Sequence, residues 1–139
     1  MRVDFYVLGN AAPESIVPAL AAKSVGAGER LLVVSAQSAQ RAALSDALWS
    51  QDGFLAHGET HRERQPILLG DTLDAANGAK LLCLADGEWR EDPAFERIFY
   101  LFDDDHRDAA RQVWRDVSAR DGVEAYFWKQ DGGKWRQGP

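Results

Sequence analysis

Short runs of apolar, β-favouring residues recur along the chain: VDFYVL at 3–8, RLLVVS at 30–35, PILL at 66–69, KLLCLA at 80–85 and RIFYLF at 97–102. Each is apolar at nearly every position and too short for a helix, the pattern of a strand covered on both faces. Helical spacing fills several of the intervals. Residues 11–26 are alanine-rich, with Pro18 inside the first turns and Gly26 and Gly28 as stops, so this helix is expected to start later than its alanines. Residues 38–50 place Ala39, Ala43, Leu44, Ala47 and Leu48 on one side and carry Trp49 near the end.

The polar stretch GETHRERQ at 58–65 reads as an exposed loop, residues 71–78 as at most one or two helical turns, and residues 86–93 as a loop holding Trp89. From residue 107 the pattern changes. Ala110, Val113, Trp114 and Val117 form one apolar stripe at about 100° per residue. A Gly turn and an aromatic strand at 125–129 follow, and QDGGKWR at 130–136 reads as a hairpin turn into a last short strand. Two-sided apolar strands alternating with amphipathic helices predict an α/β layer structure with a largely parallel sheet. With no internal repeat or linker, one domain is expected over residues 1–139.

Composition narrows the functional classes. The chain has 139 residues, 22 acids against 16 bases and a formal charge of −6. That balance argues against a general nucleic-acid binder, for which a basic footprint dominates affinity, so any anion recognition must be local. The lone cysteine, Cys83, sits in an apolar run and reads as a buried thiol. A reducing, cytoplasmic setting is expected, with no signal peptide and no apolar run near the roughly 18 residues of a membrane span.

Catalytic patterns are hard to assemble. The turn after the first strand, GNAAPES, has neither a dinucleotide fingerprint nor a P-loop lysine. His57 and His61 flank Glu59 in HGETH, which fits neither zincin spacing nor its reverse; surface or capping roles are expected, with no metal and no cofactor. Cys83 has no basic neighbour to form a thiolate, and Ser35 and Ser38 have no histidine nearby in sequence. The surviving enzyme alternative is an α/β enzyme of nucleotide or nucleic-acid metabolism with an unrecognised active site.

Binding chemistry is better represented. Arg107, Arg111 and Arg115 follow one another at i, i+4, i+8 beside Trp114. Guanidinium forks pair bidentately with carboxylate or phosphate, and an indole offers flat apolar surface to whatever bears the anion. The other reading is a solvated helix face, Asp104 pairing with Arg107 and Asp108 with Arg111. Arg115 has no acid three or four residues before it, which leaves an unpaired basic end. Five tryptophans, Trp49, Trp89, Trp114, Trp128 and Trp135, fall at element borders, and with the arginines they favour a binding module over a plain structural domain.

The stretches DFYVL at 4–8, LAAKSVGAGERLLVV at 20–34, LSDALWSQDGFLAHG at 44–58, PILLG at 66–70, RQVWR at 111–115 and YFWKQ at 126–130, in this order and spacing, resemble the chi subunit of bacterial DNA polymerase III. The resemblance implies a Rossmann-like α/β domain without nucleotide chemistry. It also implies a non-catalytic bridge that holds the acidic, apolar-ended C-terminal tail of single-stranded-DNA-binding protein on one side. The clamp loader, through a psi subunit where one exists, lies on the other.

Carried over by residue, the resemblance assigns Arg111, Arg115, Trp114 and Trp49 to the tail pocket, adds Lys129 and Trp128 from the terminal strand, and turns Phe54 and Leu55 toward psi. Direct nucleic-acid contact and membrane association are not expected, and the protein alone is expected to be a monomer. Pro18 stands where many relatives have cysteine, which is expected only to shift the first helix; Ala56 replaces the proline usual before His57 and the loop from Trp49 to Phe54 is short, so the psi-facing surface is expected to differ.

Overall fold

The protein is described from a computed structural model, which covers residues 1–50, 57–131 and 134–138. Along the chain run β1 (Arg2–Val7), α1 (Val17–Gly26), β2 (Leu31–Val34), α2 (Ser38–Trp49), β3 (His57–Gly58), β4 (Ile67–Gly70), β5 (Leu81–Leu84), β6 (Arg97–Phe102), α3 (Arg107–Ser118), β7 (Glu124–Asp131) and β8 (Lys134–Gln137). Among the described residues these strands form one sheet in the order β3-β4-β2-β5-β6-β1-β7-β8, parallel except for the β7–β8 pair. The expected α/β fold with a largely parallel sheet is therefore present.

Strand alternation divides the core in two. Tyr6 and Leu8 join Val17, Leu20 and Ala21 of α1 and Leu44 and Leu48 of α2 on one face. Val3 and Phe5 join Ala110 and Val117 of α3 on the other. Successive strand residues point to opposite faces, so a sheet covered on both sides needs runs apolar throughout, as in the fully buried LLVV of β2.

The first helix starts at Val17 after a 3-10 turn at Pro13–Ser15, and Pro18 lies in its first turn, where a missing N–H costs nothing. Residues 71–78 form bends without helix. Arginines from elsewhere satisfy part of that backbone instead: Arg62 donates to the carbonyl of Asp74 (3.0 Å) and Arg30 to that of Asn77 (2.9 Å), while the Asn77 side chain ties the segment to the carbonyl of Gln65 (2.9 Å) and the N–H of Ala79 (3.1 Å). The polar stretch begins later than expected, since Gly58 pairs in β3; His57 before it is buried with Nε2 2.9 Å from Ser45 Oγ, while His61 is exposed, so a surface role holds for only one of the two.

Four of the tryptophans complete the core. Trp89 stacks on Phe5 (6.4 Å between centroids), Trp114 meets Phe5 edge-on (5.1 Å), Trp128 stacks on Tyr6 (6.3 Å) and Trp135 meets Tyr6 edge-on (5.0 Å). Trp49 alone among them is well exposed, at 55%.

Candidate functional site

β6, α3 and β7 form a crossover that spans β1, and the carboxyl ends of these strands open into a cavity of about 430 Å³ beneath α3. In open α/β sheets this end is where ligands tend to bind. Register sets the floor: Val7 pairs with both Phe102 and Lys129, and Phe5 pairs with Phe127, so all of these reach one side of the sheet. Phe5, Val7, Phe102, Phe127, Ala110 and Trp114 make the cavity apolar, and its cations are Arg107, Arg111, Arg115 and Lys129. Trp114 serves both core and cavity, since it is half-buried, edge-on to Phe5 and Phe127 (5.1 and 6.0 Å) and open to the cavity.

The cations differ in how far they are already engaged. Arg107 donates to Asp104 at 2.6 Å. Arg111 lies 3.8 Å from a solvent-exposed Asp108, too long for a hydrogen bond. Among the described residues no hydrogen bond or ion pair engages the side chain of Arg115 or Lys129. Arg120 is held by Glu91 (2.6 Å) and Asp116 (2.6 Å) and does not line the cavity. Both sequence readings of the ladder are thus realised in part: its first rung is a surface ion pair and its last is open. A cationic rim over an aromatic floor suits an anion attached to an apolar group.

The family model for the DNA polymerase III chi subunit, HolC, matches residues 1–124. The chain belongs to the chi subunit family of DNA polymerase III. Chi is a non-catalytic accessory subunit of the polymerase holoenzyme, so the enzyme alternative gives way. No curated protein matches the chain. Among the described residues no helix is long and apolar enough to cross a membrane.

Of the residues that the chi resemblance assigns to a tail pocket, Arg111, Arg115, Trp114 and Lys129 come together. Two others do not. Trp128 neighbours Lys129 on a strand, so it must point to the opposite face, where its Nε1 donates to Asp4 (3.0 Å). Trp49 ends α2, which packs on that opposite face too, and sits against His57 of β3 (4.7 Å between rings) at the far edge of the sheet. The division of the two faces keeps both tryptophans out of this cavity. Phe54 and Leu55 lie outside the described residues.

The phenylalanine floor is not among the residues that the sequence singles out. The signal for Phe127 was present, since it stands two residues before Lys129 and so shares its face. Cys83 is fully buried, and burial pushes its thiol up to about 12. Ser35 accepts from the N–H of Gln37 (3.1 Å) and bonds the side chain of Gln40, an arrangement that anchors the start of α2.

A loop over residues 86–90 supports the cavity floor from behind. Arg90 clamps Asp86 with two bonds (2.9 and 2.8 Å), Tyr100 donates to the carbonyl of Gly87 (2.8 Å), and Trp89 backs Phe5. At Gly87, with φ of +81°, an added Cβ would lie 2.7 Å from the His106 ring, so only glycine lets loop and helix start meet. His106 contacts Asp103 (2.7 Å) and Glu88 (3.4 Å), and the hydrogen bond to Asp103 raises its pKa above the usual 6.5.

A raised folded pKa adds stability that is fully present below about 6.5 and is lost as pH rises through the folded value. Thermal melts of wild type and His106→Gln should therefore diverge most at pH 6 and converge by pH 9. The gap should be at most about 1 kcal/mol, since solvent screens this partly exposed pair. A constant gap across that range would refute the ion-pair role.

Proposed function

We propose that this chi-family chain is a replisome adaptor. It binds the acidic C-terminal tail of single-stranded-DNA-binding protein and links it to the polymerase III clamp loader, through a psi subunit where one is present. The observation that carries this reading is the cavity itself, an aromatic floor rimmed by Arg111, Arg115 and Lys129, the last two without an internal anion among the described residues. A terminal carboxylate and neighbouring acids fit the rim, and an apolar terminal side chain fits the floor. The net charge of −6 disfavours long-range attraction to DNA, so DNA proximity comes through the partner. The psi-facing assignment of Phe54 and Leu55 rests on family resemblance.

Trp114 reports the binding. An acidic peptide with a free, apolar C-terminal residue should change tryptophan fluorescence saturably, and more weakly in high salt, because screening acts on exposed charges. Removing the terminal apolar residue should weaken binding about ten-fold or more, the scale of burying one large side chain. Equal affinity for both peptides, or no binding of either, would overturn the reading.

A further inference from the structure

β8 lies beyond the residues that match the chi family, and it carries one more cation to the same side of the sheet. In the antiparallel β7–β8 ladder Lys129 stands directly opposite Arg136. Directly opposed residues share a face, and Lys129 lines the cavity, so Arg136 belongs to the cavity side, one strand farther out. The strand is fixed there from both faces. On the far side Trp135 packs edge-on against Tyr6 (5.0 Å). On the near side Gly138 donates its N–H to the Phe127 carbonyl (2.6 Å) and approaches the Phe127 ring so closely that an added Cβ would lie 2.6 Å from Cδ1. The hairpin is thus seated on a residue of the cavity floor.

We infer that Lys129 and Arg136 form a second cationic row across the apolar floor from the arginines of α3, and that Arg136 receives acidic residues upstream of the ligand's C-terminal residue. This deepens the tail-binding proposal and rests on it. With the terminal side chain on the floor and its carboxylate at the α3 rim, the peptide leaves the cavity across β7 and β8. Adjacent strands stand about 4.8 Å apart and an extended peptide advances about 3.3 Å per residue, so Arg136 meets side chains roughly two to four residues before the end. Carboxylates there would face a guanidinium that the terminal residue does not use.

Two peptides with the same free apolar C-terminus separate the possibilities, one neutral upstream and one with aspartates two to four residues before the end. Wild type should prefer the acidic peptide. Arg136→Gln should shrink that preference about two- to five-fold, the scale of an exposed ion pair, and leave the neutral peptide's affinity unchanged. Arg136→Lys should restore most of the preference. If Arg136→Gln keeps the full preference, or weakens both peptides alike, Arg136 does not read the upstream acids even though the cavity binds tails. If wild type binds neither peptide, the tail-binding reading itself fails and takes this inference with it.

Discussion

Arg115→Ala should weaken binding of an acidic, carboxylate-terminated peptide about ten- to hundred-fold, with no change in thermal midpoint. Hydrogen bonds to charged groups contribute about 1.5–3 kcal/mol, which corresponds to that range. Stability should be spared because Arg115 is exposed and, among the described residues, engages no internal anion. The neighbouring arginines should rank below it. Arg111 faces Asp108 across 3.8 Å and loses part of its availability, while Arg107 must first give up a 2.6 Å bond to Asp104. The expected order of loss is therefore Arg115, then Arg111, then Arg107, read by fluorescence titration at one ionic strength. A variant series in which Arg107→Ala is the most damaging would reverse the assignment of ligand-binding cations.

Asp4→Ala should cost about 2–4 kcal/mol of stability, visible as a lower urea midpoint at unchanged m-value. The Asp4 carboxylate is fully buried and accepts from Arg2 (3.0 Å), Arg97 (2.8 Å) and the Trp128 indole (3.0 Å). Removing it leaves an indole N–H and two guanidinium groups facing a void. The arginine side chains are 36% and 32% exposed, so water can recover part of their solvation, which keeps the cost below that of a fully buried pair. Against a typical total of about 5–15 kcal/mol the loss is still large. Because Trp128 lies between Phe127 and Lys129, loosening it should also weaken peptide binding modestly. A loss under about 1 kcal/mol would mean that the network is dispensable.

Much of the fold was legible because it depends on local periodicity. LLVV and RIFYLF are apolar on both faces, which only a sheet covered on both sides can satisfy, and the stripe Ala110, Val113, Trp114, Val117 requires a helix packed on one side. The contrast at residues 71–78 is also physical. Their polar character suited a short helix, but Arg30 and Arg62 donate to the carbonyls of Asn77 and Asp74 from far along the chain, and sequence spacing carries no record of such bonds.

The candidate site was legible along α3 and not across the sheet. Arg111, Trp114 and Arg115 sit within one and a half turns of a helix, so their common flank follows from the helical repeat alone. Lys129 lines the same cavity, whereas Trp128 beside it cannot, because neighbours on a strand do not share a face. Trp49 lies away from this cavity for a different reason. Which side of the sheet a helix covers is set by the handedness and order of crossovers between strands, a long-range property.

Sequence by itself determined α1, α2 and α3, the strands other than β3, the buried thiol, the arginine spacing and, through its matched residues, the chi family. Only the tertiary structure decided that α1 and α2 cover one face and α3 the other, that Phe5, Phe102 and Phe127 converge beneath the arginines, and that β8 brings Arg136 to the cavity's side. Periodicity tells a residue which way to point relative to its own element. The sheet order, formed by contacts far apart in the chain, sets what it points at.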